Sequence, residues 1–483
     1  MQYPGFIGSS NPSQSRVADT EQTVNLYVEA IESAAGAPAA ALYPTPGFRS
    51  HIVTSAVGAR AIFDVAGRTT GVIGGTYYDL FPLTQTSTVR GAVAEDVRLA
   101  QIVSNGSAGG QQLVASGGHA YLHVLATNVF TQVLIAEATQ IGMLDTYFLA
   151  FNANNGKLRI SGSNDGATWD PTQFALRSAQ PDPWRAMVVN APDIWLFGEQ
   201  ITDVWYDGGA SPFPLVPRAG LSIPYGIGAN FSVALSGGSL LWLSRNKDGA
   251  GIVVQSTGYT ATPISSRALD TAIANYARTA LITDAEGLIY QDQGHVFYVL
   301  RFPSANATWA YDLTTKQWAE RGQWNNAQAR YDVWAPRVHA YASGLHLTGD
   351  ATSGVVSVMD VAIGTESNGT GIRRLRRGPP LSQENHRISV SRFELSLDVG
   401  QGVAVGQGSD PQVMCRASSD GGQTWGLERR ASAGKMGEYT RRVFWTRYGS
   451  PRRWVAEITM SDPTPWRILD AYLNNDPARQ AGA

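Results

Sequence analysis

The sequence predicts an all-β fold: a six-bladed β-propeller preceded by an N-terminal arm and followed by a C-terminal β-sandwich. Three observations carry this expectation. The 483-residue chain holds 51 Gly and 24 Pro with few long helical patterns, which points to many tight turns. A small or Gly-containing turn followed by an alternating aromatic strand recurs, mostly at steps in the forties or fifties of residues. From Gly364 the texture changes to a polar, basic stretch and then to short strands with hairpin turns.

Taken in order, residues 1–50 read as an extended arm. Glu21 to Ser33 is its one short helical candidate, followed by an Ala-rich stretch and the turn Tyr43-Pro44-Thr45-Pro46-Gly47, where proline fixes φ and excludes helix. Residues 51–363 carry the repeat. It appears at Gly74 to Tyr78, Gly117 to Tyr121, Asp145 to Phe151, Asp193 to Phe197, Gly237 to Trp242, Gly294 to Tyr298 and Gly344 to His346, with one shorter step from Tyr121 to Phe148. A step of the commoner length suits one four-stranded blade, which cannot bury both faces alone and must stack on neighbours around a ring. Residues 364–483 read as a basic linker or exposed loop, GTGIRRLRRGPP at its centre, and then a sandwich. Its strands are expected at Ile388 to Leu397, Gln412 to Ala417, Tyr439 to Arg447, Arg453 to Thr459 and Arg467 to Leu473.

Composition narrows the function. A chain this long exceeds what one hydrophobic core supports, so two domains or one large repetitive one are expected. Charged residues make up 16 %, below the usual value of about 25 %, so the surface leans on small polar side chains. The single cysteine, Cys415, excludes an intrachain disulfide and reads as a small buried hydrophobe. No basic region followed by an apolar core opens the sequence, and no apolar run approaches the roughly 18 residues of a membrane span. Assembly in the cytoplasm, without a membrane span, is the expectation. Net charge is −2, divided unevenly: residues 371–483 hold 16 Arg and one Lys against 11 acids, +6, which leaves −8 for residues 1–370. Arginine pairs bidentately with carboxylate and phosphate, so the basic region suits an interface as readily as nucleic acid.

Two turns resemble the Asp-box of sialidases: Ser163, Asp165, Gly166 and Trp169 in one, Ser418, Asp420, Gly422 and Trp425 in the other. The second fits the full Ser-x-Asp-x-Gly-x-Thr-Trp spacing; the first is one residue short. In such a turn the carboxylate accepts backbone N–H groups, glycine takes the φ > 0 position and tryptophan packs beneath. The role expected of both is structural. A glycan-binding or glycan-cleaving propeller is the alternative, and cleavage requires two carboxylates facing across a pocket. Asp203, Asp207, Glu286 and Asp292 are available, but spacing sets none of them opposite another. His119 and His123, four apart in an inferred strand, stand about 13 Å apart and cannot share one ion. No Gly-rich phosphate loop is present. Neither metal, cofactor nor catalytic residues are expected.

The segment PQVMCRASSDGGQTWGLERRASAGKMGEYTRRVFWTRYGSPRRWVAEITM, with its Ser418 to Trp425 turn, Arg-rich strand through Phe444, Trp445 and Arg447, and second strand through Trp454 to Met460, resembles the C-terminal part of the packaged-DNA stabilisation proteins, or tail nozzle proteins, of short-tailed bacteriophages. Thr20, Glu21, Asn25, Tyr27, Glu29 and the Tyr43 to Gly47 turn match the start of that family, and Asp193 to Gly198 with Ile201 to Trp205 before Pro212 to Pro217 match its centre. The resemblance implies a structural virion protein and not an enzyme. It implies a homohexameric ring below the portal and its adaptor, which extends the DNA channel and retains packaged DNA until ejection. The partners it implies are further copies of the chain, the portal-adaptor proteins, a tail needle, plug, fibre or spike, and DNA that passes without sequence-specific binding. Arg373, Arg374, Arg376 and Arg377 are then expected at an inter-subunit or adaptor-facing contact, ahead of a solvated loop or a DNA contact, because a tube through which DNA slides must not grip phosphate.

Overall fold

The recurring turns close tight hairpins. At Gly117-Gly118, Gly237-Gly238, Gln293-Gly294 and Ser343-Gly344 both central residues have φ between 51° and 83°, the geometry whose twist matches a pair of antiparallel strands. The computed structural model describes residues 1–15, 17–31, 39–135, 137–177, 181–245 and 251–474. These hairpins organise seven four-stranded antiparallel sheets, over 59–92, 101–133, 140–175, 186–223, 234–263, 286–320 and 336–360, the last completed by Gly47–Val53. The expected six blades are therefore seven. In blades 1 and 2 the recurring turn joins the second and third strands, whereas from blade 3 onward it joins the first and second. That one-strand shift shortens the step from Tyr121 to Phe148 without removing a blade.

Each neighbouring pair of blades encloses its own apolar core. Val114 and Tyr121 of blade 2 pack on Val72 and Tyr77 of blade 1, Trp195 and Phe197 of blade 4 on Trp242 of blade 5, and Val338 and Val358 of blade 7 on Ile62 and Tyr78 of blade 1. Trp242 is fully buried and donates its indole N–H to Gly226 O at 3.0 Å. Truncating such a side chain costs about 3–5 kcal/mol, which shows how strongly one blade depends on the next. Between blades 5 and 6 the helix Arg267–Thr279, capped by Ser266 accepting from Leu269 N at 3.2 Å, lays Leu269 and Ile273 into the shared core.

The ring closes through the N-terminal part of the chain: Gly47–Val53 pairs along Val355–Asp360 as the outer strand of blade 7. The expected boundary between residues 50 and 51 therefore falls inside a strand. Residues before it are not a free arm either. Met1 N donates to Leu473 O at 2.9 Å, Tyr3 and Phe6 are buried against Phe393 and Trp454, and Leu26–Ala30 pairs with Ala40–Pro44 in a sandwich sheet. The helix expected over Glu21 to Ser33 is two strands, Gln22–Val24 and Leu26–Ala30, hinged at Asn25 with φ 56°; residues 32 and 33 lie outside the described residues. For Gln22–Val24 a strand partner some 350 residues away decides this conformation, and local pattern does not reveal it.

The C-terminal domain packs two sheets face to face. One holds Gln22–Val24, Arg374–Arg377, Arg453–Met460, Gln412–Ser418 and Arg429–Ser432; the other holds Leu26–Ala30, Ala40–Pro44, Ile468–Leu473, Arg392–Leu397 and Val443–Thr446. Val413, Cys415, Trp454, Ala456, Ile458 and Trp466 fill the space between. Residues 1–6 and the strands Gln22–Val24, Leu26–Ala30 and Ala40–Pro44 thus belong to this sandwich, although more than 300 residues separate them from its C-terminal strands.

Candidate functional site

Arg374–Arg377 is an internal strand. It lies between Gln22–Val24 and Arg453–Met460, and Gln22–Val24 in turn meets the outer strand of blade 6 in parallel through Val24 and Glu320. One sheet therefore runs from the propeller into the sandwich. Arg376 is fully buried. Its guanidinium donates to Phe6 O at 2.6 Å, Ser9 O at 3.1 Å, Thr23 Oγ1 at 2.9 Å, Gly5 O at 2.8 Å and the Glu21 carboxylate at 2.5 Å. Arg377 and Arg416 both pair with Glu457 and flank the Trp425 ring at 5.0 and 4.9 Å. Arg373 lies 4.3 Å over the Trp324 ring and donates to Thr459 Oγ1 at 3.3 Å. Arg374 is buried near Glu366; burial pushes the Glu366 carboxyl up to about 7 and the Arg374 guanidinium down to about 10. The expected contact with another subunit is corrected for Arg374 and Arg376, which are sealed inside; Arg373 and Arg377 are half-buried and make contacts within the chain.

At the propeller axis a basin of about 770 Å³ opens where the innermost strands begin and the second strands end. Arg98 and Arg185 stand at its wall, paired with Asp96 at 2.6 Å and Glu199 at 3.1 Å. Deeper, Arg301 and Arg337 close on the two oxygens of a single carboxylate, Glu286. Arg301 also donates to Trp334 O at 2.9 Å, and Arg337 to Val97 O. Behind Arg98, the buried Arg60 donates to Arg98 O at 2.9 Å and Ser116 Oγ at 2.8 Å, while its Nη2 has no partner. Burial lowers the pKa of Arg60 and of Arg301, and Arg337 lowers both further. Arg245 adds a fifth lining arginine, with its Nε buried and unpartnered.

The sequence model described as bacteriophage P22 Gp10, beta-propeller, matches residues 18–364, and that described as bacteriophage P22 Gp10, beta-sandwich, matches residues 373–474. The chain belongs to the bacteriophage P22 Gp10 family. It is thus a phage structural protein of the packaged-DNA stabilisation type. No curated protein matches it significantly. Solved structures similar to it include the N-terminal domain of Nup159 (11 % identity, TM-score 0.40, 70 % of this chain and 98 % of that one) and YCF48 from Cyanidioschyzon merolae (10 %, 0.39, 65 % and 98 %). Such likenesses are too weak to carry an argument.

In this Gp10-family chain the two Asp-box-like turns lie apart, one between the third and fourth strands of blade 3, the other in the sandwich. Asp165 accepts Ala167 N at 2.9 Å and Thr168 Oγ1 at 2.5 Å, Trp169 donates to Gly166 O at 2.8 Å, and Ser163 donates to Thr146 Oγ1 at 3.0 Å. The left-handed residue there is Asn164 and not Gly166; glycine is needed because a Cβ would stand 2.6 Å from Leu122 Cδ1. Asp420 is the fuller acceptor, taking Ser418 Oγ at 2.6 Å, Gln423 N at 2.9 Å, Thr424 N at 2.9 Å and Thr424 Oγ1 at 2.6 Å. Gly422 has φ 91° and donates to Ser418 Oγ at 2.8 Å. Trp425, expected beneath the turn, is instead held between Arg377 and Arg416.

The four sequence-picked carboxylates are dispersed: Asp203 and Asp207 on the third strand of blade 4, Glu286 and Asp292 at opposite ends of one blade 6 strand. His119 is exposed, while His123 is buried at 3.1 Å from the Tyr77 hydroxyl, where desolvation lowers its pKa to about 4. Among the described residues no three ligating side chains gather around a metal position, and no helix is long and apolar enough to cross a membrane. Cys415 is buried beside Tyr448, and burial pushes its thiol up to about 12. Of the sequence-picked residues Glu286 falls in the axial basin, and its arginines were not singled out.

Proposed function

We propose that the chain is a subunit of the tail nozzle: copies form a homohexameric ring below the portal and its adaptor, extend the DNA channel and retain packaged DNA until ejection. The observation that carries this reading is the unbroken order of the two Gp10 matches over 18–474. A sheet continuous between propeller and sandwich supports it, because a subunit that must hold a loaded channel needs domains that do not swing apart. The protein would be assembled in the host cytoplasm and reside in the virion. Its partners would be portal-adaptor proteins, a needle, plug, fibre or spike, and DNA held without base-specific contacts.

A closed ring needs two different, mutually complementary patches on each subunit. With Arg374 and Arg376 sealed inside, the basic surface would come from exposed arginines of the sandwich such as Arg430, Arg441, Arg447, Arg452 and Arg453, on the domain that also exposes Leu427, Tyr439 and Phe444. The propeller-bearing residues 1–370, at −8, supply the opposite sign. Electron microscopy of the purified chain, alone and mixed with portal and adaptor rings, tests the reading. Sixfold rings that stack on the adaptor are expected; a monomer that ignores the adaptor at every concentration contradicts it.

One observation favours a second reading, glycan binding: the axial basin gathers arginines and acids at the propeller axis. It favours binding over cleavage, since both oxygens of Glu286 are engaged by guanidiniums and Glu199 pairs with Arg185, which leaves Asp284 as a single lining acid without an ion pair among the described residues, where cleavage needs two.

A further inference from the structure

The charges under the axial basin do not balance. Arg60, Arg301 and Arg337 are each at most 8 % exposed, and among the described residues the carboxylate buried as deeply with them is Glu286; Asp284, half-buried, adds one further negative charge to the lining. Two guanidiniums already share Glu286, and Arg60 has only carbonyl and hydroxyl acceptors. Burying like charges this close is costly unless an anion stands among them. Arg98 and Arg185 are neutralised at the wall by Asp96 and Glu199, so they do not remove the excess. Arg245 and Asp284, which also line the basin, are one charge of each sign, with a buried Arg245 nitrogen and a buried Asp284 oxygen left unpartnered among the described residues, so the excess rests on Arg60, Arg301 and Arg337 over Glu286.

We propose that the basin is a binding site for a small, multiply charged oxyanion, a phosphate- or carboxylate-bearing ligand of mono- to disaccharide size. The volume of about 770 Å³ lies within the range of small-molecule pockets, which run from about 300 to 1,000 Å³. Arginine is suited to such a ligand because its planar fork meets carboxylate and phosphate oxygens two at a time. Lining residues come from different blades, so the ligand would bridge around the axis instead of lying on one sheet. Exposed Val97 and Leu281 line the basin as well and offer apolar contact to a sugar ring or similar body. The inference is independent of the nozzle reading, and its failure leaves that reading standing.

Two sources share this chemistry, a free phosphate compound and an acidic sugar of a cell surface. Isothermal titration of the full chain at low ionic strength separates them, with inorganic pyrophosphate, a disaccharide of two uronates, and neutral lactose as probes. At least one charged probe is expected to bind below millimolar concentration and lactose is not. Tighter binding of pyrophosphate assigns the free phosphate source, and tighter binding of the disaccharide assigns the sugar. Arg337→Gln and Arg245→Gln should each weaken binding at least tenfold, while Arg452→Gln on the sandwich leaves it unchanged. Arg245→Gln keeps the test valid if Arg337→Gln fails to fold, because the Arg245 Nε has no partner to lose. Absence of binding by both charged probes, or binding indifferent to Arg245→Gln and Arg337→Gln, overturns the proposal.

Discussion

Asp420 shows how one carboxylate organises a turn that backbone pairing leaves open. It accepts two backbone N–H groups and two hydroxyls, and these bonds hold its pKa down to about 2 although burial acts in the other direction. Asp420→Ala removes the acceptor and should lower the stability of the full chain by about 1–2 kcal/mol, read by chemical denaturation followed through the sandwich. The sign with pH follows from the lowered pKa: the stabilisation is present above about pH 4 and fades as pH falls through about 2. Wild type and variant should therefore converge in acid. An undiminished difference at pH 2, or none at pH 7, would mean the carboxylate does not organise the turn. This motif was legible from the Ser-x-Asp-x-Gly-x-Thr-Trp spacing. The placement of Trp425 was not, because its partners Arg377 and Arg416 come from other strands of the sheet.

The strand Arg374–Arg377 carries the junction of the two domains, and here local reading failed most clearly. Four arginines in five residues normally mark a solvated loop, yet Glu21, Glu457, Trp324 and the carbonyls of Gly5, Phe6 and Ser9 take them up from distant parts of the chain. Replacing Arg376 by Met leaves the Glu21 carboxylate and three carbonyls without their donor. The expected cost is about 3–5 kcal/mol, and residues 1–20 should become sensitive to limited proteolysis before the propeller does. Unchanged protection of that segment would show that Tyr3 and Phe6, and not Arg376, anchor it. The helix expected over Glu21 to Ser33 failed for the same reason, since Thr23 and Val24 pair with Arg376 and Leu375. By contrast the hairpins of all seven blades were visible as tight turns, five of them with glycine, beside aromatic strands; only their phase, shifted by one strand after blade 2, led to a count of six.

For the whole molecule, the sequence exposed the architecture because each blade repeats its own signal, but it hid the axial basin. Arg60, Arg98, Arg185, Arg245, Arg301 and Arg337 are scattered over nearly 280 residues, and only ring closure brings them together. Family membership makes the chain a phage structural protein, and the nozzle reading gives that role a mechanism: a rigid propeller-sandwich unit closing a ring around the DNA exit. The most direct measurement is genome retention. Phage particles assembled without this chain should package DNA and then lose it, and adding the purified protein before release should keep the heads full. Particles that lack the chain yet hold their DNA as long as wild type would contradict the account.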